Sequence, residues 1–209
     1  MISGAARGVR LQAPGAGTRP LSDRVKQALF GALESAGVLR GDGAFLDLFA
    51  GSGAAGIEAL SRGAGRAVFV EQYSSACAVI TANLQRAHMP GGTVVRADAL
   101  SFLDTDPAAC GGPFSACVAD PPYAQPLLAP ALDRLGDARR GWLTHGAIVV
   151  TTHFWRDNPP QTAGELVAYR ERRFGETMLT FYRRRDGAEG DPGPAAPDHA
   201  QEDSSQEDS

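Results

Sequence analysis

The sequence is poor in cysteine, poor in aromatic residues and without a long apolar run. Its 209 residues contain three cysteines, Cys77, Cys110 and Cys117. The number is odd and no pair has C-x-x-C spacing, which excludes a disulfide scaffold and argues against a zinc or redox motif. Each reads as small apolar filler, so no metal is expected and a reducing cytoplasm is the natural compartment. No stretch approaches the ~20 apolar residues of a membrane-spanning helix. The opening MISGAARGVRL lacks the apolar centre of a secretory leader. No membrane partner is expected, and a monomer is.

The composition is that of an ordinary globular protein, 43% apolar and 21% charged. The net charge of −4 is unevenly spread. Residues 186–209 hold 8 acidic side chains and no Lys or Arg, which leaves 20 basic against 16 acidic groups in 1–185. The tail is also rich in Gly, Pro and Ser and has no aromatic residue, so it reads as disordered. The basic excess over 1–185 fits a polyanionic partner or an ordinary solvated surface equally well.

Three segments follow: an arm and helix over 1–40, an α/β domain over 41–185, and the acidic tail over 186–209. In the first, a strand is expected near Val9–Leu11 and a helix from Ser22 to Ser35, with Ser22 as N-cap and Val25, Leu29 and Leu33 at helical spacing. From residue 44 short apolar runs alternate with helical stretches. Strands are expected at Ala44–Phe49, Ala67–Glu71, Thr93–Ala97, Ser115–Asp120 and Gly146–Thr151. Helices follow from the glycine loop, at Ser75–Ala87, at Ala99–Leu103 and within Leu127–Arg139. This alternation predicts a mostly parallel sheet with helices on both faces. Leu166–Phe174 and Met178–Arg184, joined by GET, predict a closing antiparallel hairpin. The total is seven strands.

Gly51-Ser52-Gly53-Ala54-Ala55-Gly56 fits G-x-G-x-x-G between a strand and a helix. Glycines there let the backbone turn tightly and approach a ligand. Glu71 ends the next strand 20 residues on, where a carboxylate can hold both ribose hydroxyls of a nucleoside. NAD and S-adenosylmethionine both fit this pattern. Asp47, inside the apolar FLDLF, favours the second: a carboxylate repels a pyrophosphate and attracts a cationic methionyl group. Asp47 can equally cap the amides of the loop. Asp98, closing VVRAD, is placed either to accept from an adenine amino group or to N-cap the next helix.

Asp120-Pro121-Pro122-Tyr123 ends the fourth strand. Two prolines fix an extended turn and remove two donors. A carboxylate, a rigid carbonyl and an aromatic plate together suit a planar amino group on a base: Asp120 and the Pro121 carbonyl take its two N–H bonds, and the ring stacks on Tyr123 for ~1–3 kcal/mol.

D-P-P-Y after the fourth strand and D-L-F-A-G-S-G after the first resemble the class I, S-adenosylmethionine-dependent amino-methyltransferases. The run Thr18-Arg19-Pro20-Leu21-Ser22-Asp23-Arg24-Val25-Lys26, followed by FLDLFAGSGAAGIEALSRGA, is similar to the RsmD family of bacterial 16S rRNA (guanine-N2)-methyltransferases, over roughly residues 1–185. The resemblance implies a Rossmann-like fold with S-adenosylmethionine as cofactor. In it, Phe49, Ala50, Gly51, Ser52 and Gly53, with Asp47, surround the methionyl part. Glu71 holds the ribose, and Asp98 with Ala99 meets the adenine. Asp120, Pro121, Pro122 and Tyr123 form the catalytic turn, while Arg19, Ser22 and Arg24 lie at the mouth, toward RNA phosphate or cofactor. It implies 16S rRNA, or an assembling small subunit, as partner. Leu21 stands where the family commonly has Thr, and Ala54-Ala55 where a bulkier apolar residue is usual. Three alternatives stay open: transfer to another amino group (adenine N6 or a protein glutamine), a NAD-dependent oxidoreductase, and an inactive RNA-binding module. For the oxidoreductase, His145 and His153 flank the fifth strand and read as structural. The intact D-P-P-Y disfavours the inactive module.

Overall fold

The computed structural model describes residues 1–13, 21–122 and 125–185. Arg19, Tyr123 and the acidic tail lie outside the described residues, so the expectations placed on them stand as sequence readings.

The strands are β1 (Ala44–Asp47), β2 (Arg66–Glu71), β3 (Gly92–Arg96), β4 (Phe114–Ala119), β5 (Leu143–Phe154), β6 (Thr162–Ala163), β7 (Leu166–Phe174) and β8 (Thr177–Arg184). They form one sheet in the order β3-β2-β1-β4-β5-β8-β7-β6. The β1–β2, β1–β4, β2–β3 and β4–β5 pairs are parallel; β5–β8, β7–β8 and β6–β7 are antiparallel. The helices are α1 (Asp23–Ser35), α2 (Ala54–Ser61), α3 (Ser74–Arg86), α4 (Ala99–Leu103) and α5 (Leu128–Gly136).

Central strands covered on both faces become nearly continuous apolar runs. All four residues of β1 are buried, as are the last four of β4. On one face Phe45, Phe69, Val118 and Val150 pack with Leu29, Phe30 and Leu33 of α1, Ile57 of α2 and Ile80 of α3. On the other, Leu46, Val70, Cys117 and Val149 pack with Phe102 of α4 and Leu132 and Leu135 of α5. Trp142 lies fully buried on that face and donates its indole N–H to the Leu103 carbonyl at 3.0 Å.

The strand order reverses between β1 and β4, so loops at their carboxyl ends diverge and leave a crevice. Gly56, the third glycine of the motif, serves packing there: a Cβ on it would lie 2.2 Å from the Phe69 ring.

Three expectations need correction. The sheet has eight strands, not seven; the extra one, Thr162–Ala163, has two residues, too few for any alternation, and turns back through Gly164 at φ 57°. No strand forms at Val9–Leu11. Instead side chains hold the arm on α2 and α3, and Ala6 enters the core. β5 begins at Leu143 and runs to Phe154, so His145 and His153 lie within it rather than at its flanks. Helix α5 lies within the expected Leu127–Arg139 and ends at Gly136, because Asp137 is extended; a short 3-10 turn over Ala138–Arg140 follows.

The arm is fastened by Glu58 and Ser61 of α2. Glu58, fully buried, accepts from the amides of Ile2 and Ser3 at 2.9 and 3.0 Å and from Arg62 Nε at 2.8 Å. Arg62 also reaches Glu34 of α1 at 2.8 Å and lies over the Phe30 ring. Ser61 Oγ accepts from the Ala6 amide at 2.9 Å and donates to the Ser3 carbonyl at 2.6 Å.

Candidate active site

Three carboxylates gather where β1, β2 and β4 end. Asp47 closes β1, Glu71 closes β2 and Asp120 follows the last residue of β4. Asp47 is 3% exposed, and its Oδ2 accepts from the Gly56 amide in the first turn of α2 at 2.9 Å. Burial pushes its pKa up to about 7; the Gly56 N–H opposes this, while Asp120 and Glu71 add to it. Burial also raises Asp120, against a hydrogen bond from the Thr152 hydroxyl to its Oδ1. Such a crowd of acids favours a cation among them.

The glycine loop rests on this group. Gly51 and Gly53 have φ of 53° and 76°, a region that favours glycine. A Cβ on Gly51 would project into open space, which suits close approach by a ligand. The Gly51 amide donates to Glu71 Oε2 at 3.0 Å, and Glu71 Oε1 accepts from the Tyr73 amide at 2.9 Å. Glu71 is thereby oriented with one oxygen on the loop. Phe49 packs partly buried against the α4–α5 core, and Ala50 donates its amide to the Val70 carbonyl at 2.9 Å.

Asn83 of α3 holds the same loop and carries no motif. Fully buried, it donates through Nδ2 to the carbonyls of Ser52 and Gln12 at 2.9 and 3.0 Å, and its Oδ1 accepts from the Gln12 amide at 2.8 Å. It ties arm to loop. A polar residue at an apolar-face position of α3, beside Ala76, Ile80 and Leu84, was the signal available. Asn83→Ala leaves these backbone groups without their partner. The expected result is a loss of about 1–3 kcal/mol in denaturant unfolding together with weaker cofactor binding; unchanged binding in the folded variant would contradict the clamp.

In the D-P-P turn after β4, Pro121 is buried and Pro122 exposed. The Pro122 carbonyl accepts from the Gln125 amide at 3.0 Å, so one of the two proline carbonyls braces the turn. Thr152, one strand away, orients the Asp120 carboxylate and had no sequence signal.

Other expected site residues have local tasks. Asp98 is the N-cap of α4: exposed, it accepts from the Ser101 amide at 2.9 Å, and Ala99 beside it is buried. Ser22 caps α1, accepting from the Val25 amide at 3.4 Å. Arg24 is exposed, and Asp23 pairs with Lys26 at 2.8 Å. His153 has both ring nitrogens engaged, at 3.0 Å from the Phe154 carbonyl and 2.8 Å from Thr180 Oγ1, so it is structural. Among the described residues no cluster of three or more His, Cys, Asp or Glu is placed to hold a metal, and no helix is long and apolar enough to cross a membrane.

A family model described as "Conserved hypothetical protein 95" matches residues 1–183. The chain is 33% identical over 192 residues to ribosomal RNA small subunit methyltransferase D of Escherichia coli, covering 91% of this chain and 92% of that one. Among solved structures, the yhhF protein of Escherichia coli superposes with a TM-score of 0.74 at 33% identity, over 88% of this chain and 97% of that one. A Thermus protein, TTHA0928, does so with a TM-score of 0.72 at 34% identity, over 86% and 96%. With the glycine loop, the three carboxylates and the D-P-P turn at one sheet edge, these likenesses place the chain in the RsmD family of class I methyltransferases.

Proposed function

We propose that the protein is an S-adenosylmethionine-dependent methyltransferase acting on the exocyclic N2 of a guanine in small-subunit (16S) rRNA. The observation that carries this reading is the position of Asp120. Its half-buried carboxylate is held by Thr152 at the end of β4, beside the acidic cup of Asp47 and Glu71. The E. coli relative, by its name, acts on small-subunit ribosomal RNA.

The residues present fit the cofactor. The acidic cup suits a cationic ligand, and the open face of Gly51 admits it. When bound, S-adenosylmethionine supplies an electrophilic methyl group. Glu71 holds the ribose. Asp120 and the Pro121 carbonyl hold the two N–H bonds of the target amine and aim its lone pair, with Tyr123 as the stacking surface. Asp120 stabilises the positive charge that grows on nitrogen and takes up the departing proton, a role its raised pKa favours. Positioning supplies the remaining acceleration. The target base has to leave its stack to reach this turn, so a loop guanine is the favoured substrate.

A dinucleotide fits less well. Pyrophosphates use the first amides of the helix after the glycine loop, and the Gly56 amide already donates to Asp47. Aspartate rather than asparagine at the head of the turn favours guanine N2 over adenine N6 or glutamine. Calorimetric titration with S-adenosylhomocysteine and, separately, with NAD tests the cofactor class: binding of the first alone is expected, and binding of NAD alone would overturn the reading.

Asp47 also makes binding pH-dependent. Its folded pKa of about 7 lies above the ordinary aspartate value of 3.8. Between these values the unfolded chain binds fewer protons, so the ligand-free protein loses stability as pH rises through the window. A cationic cofactor favours the ionised form. Its affinity is expected to rise with pH, by at most about tenfold per unit, and to level off above about 7. A flat profile in Asp47→Asn, against a sloping one in the unsubstituted protein, is the expected calorimetric result; equal slopes would contradict it.

A further inference from the structure

A groove of about 390 Å³ runs between α1 and the β7–β8 hairpin, on the face of the sheet that carries α1, α2 and α3. Gln27 and Ser35 line its helical wall; Tyr169, Arg170, Arg172 and Arg183 line its sheet wall. None of the described residues lining it is acidic. The three arginines are exposed, yet each is stacked on a ring: Arg170 5.9 Å from the Phe181 centroid, Arg172 5.5 Å from Phe174 and Arg183 5.3 Å from Tyr169. Stacking limits the freedom of a guanidinium while leaving its N–H edge for an acceptor.

Strand register ties this groove to the candidate active site. Ala119 pairs with Thr151, so Asp120 stands level with Thr152; Thr152 pairs with Leu179, and Leu179 with Arg172. Residues directly opposite one another share a face of the sheet, so Asp120, Thr152, Leu179 and Arg172 form one row. Three strand spacings separate its ends, about 14 Å. Arg170 and Arg183 lie farther along the hairpin, opposite Phe181 and Val167. The row thus runs from the carboxylate that holds the target amine to a line of ordered cations.

We propose that this groove binds the ribose-phosphate backbone of single-stranded RNA a few nucleotides from the target base, with Arg170, Arg172 and Arg183 on successive phosphates; this rests on the rRNA methyltransferase reading above. Guanidinium groups suit phosphate because they can meet two of its oxygens at once. Phosphate contacts of this kind fix the register of the nucleic acid without reading its sequence.

The test uses the full chain, an unmodified small-subunit rRNA transcript and S-adenosylmethionine. In R170Q/R172Q/R183Q, KM for RNA is expected to rise roughly tenfold or more, with kcat within about twofold and S-adenosylhomocysteine binding unchanged. The slope of log affinity against log salt should shrink by about 2, since each phosphate contact on a single strand contributes about 0.7. The corresponding triple lysine variant, which keeps the charge, should recover most of the affinity. The single variant R172Q should shift KM in the same direction. KM and salt slope equal to those of the unsubstituted protein would overturn the proposal, as would a fall in kcat at constant KM. The chain's own acidic C-terminus is the competing occupant: substitutions that act in the full chain but not in residues 1–185 would assign the groove to the tail instead. An unsubstituted protein that binds S-adenosylhomocysteine but methylates no RNA would defeat the functional reading itself, before any variant is made.

Discussion

Asp120→Asn is expected to lower kcat for methyl transfer by about a hundred- to a thousand-fold, the range seen when one preorganised polar group facing a developing charge is removed. The substitution is nearly isosteric. The side-chain oxygen can still accept from Thr152, so the turn keeps its shape. What is lost is the negative charge that stabilises the amine as it becomes cationic, and the acceptor for its proton. Cofactor binding should survive, because the Asp47 and Glu71 contacts to the glycine loop do not pass through Asp120. Stability should hold or rise slightly, since a half-buried carboxylate that raises its neighbour's pKa is replaced by a neutral amide. Single-turnover methylation, S-adenosylhomocysteine calorimetry and thermal unfolding separate these effects. A kcat within about threefold of the unsubstituted value would remove Asp120 from the mechanism.

Glu58→Ala is the substitution expected to cost the most stability, about 3–5 kcal/mol, the usual loss when one partner of a buried ion pair is removed. It strands the Ile2 and Ser3 amides and leaves Arg62, with its side chain 7% exposed, with Glu34 alone. For a chain of this size such a loss lowers the unfolding midpoint by roughly 10 °C. Release of the arm should also open residues 1–13 to proteolysis under native conditions. A loss below about 1 kcal/mol, with the arm still protected, would contradict the anchoring described above.

Much of the fold was legible because the signals were local. A buried parallel strand must be apolar throughout, and FLDLF and the VFV of β2 announce it. The glycine motif carries both a turn and a packing requirement, at Gly51, Gly53 and Gly56. Leu166–Phe174 was placed to the residue because Gly175, at φ 61°, sits at the turn that follows it. The misses have two physical causes: an element too short to carry a pattern, and partners distant in sequence. Thr162–Ala163 is of the first kind, two residues paired with the neighbouring Leu166 and Val167. Glu58 looks like a surface residue of an amphipathic helix until residues 2 and 3 return to it from 56 and 55 positions away.

The site divides in the same way. That Asp47, Glu71 and Asp120 lie together at one sheet edge was legible because each closes or follows a parallel strand, where such a sheet carries chemistry. For Asp47 the capping role that stood open is present, through Gly56, and it is compatible with the proposed cofactor role. Asp98 and Ser22 are helix caps. Thr152 and Asn83, which hold the Asp120 carboxylate and the glycine loop, bear on residues 32 and 31 positions away. Neither belongs to a motif.

The central claim is the identity of the methylated atom. The most direct measurement is to incubate the protein with an unmodified small-subunit rRNA transcript, alone and assembled into subunits, with S-adenosylmethionine carrying a labelled methyl group. The RNA is then digested to nucleosides and the labelled product identified by mass spectrometry. The account predicts a single labelled species, N2-methylguanosine, formed by the unsubstituted protein and absent with Asp120→Asn. Label on adenine N6, on protein glutamine, or on no acceptor in either substrate would contradict it.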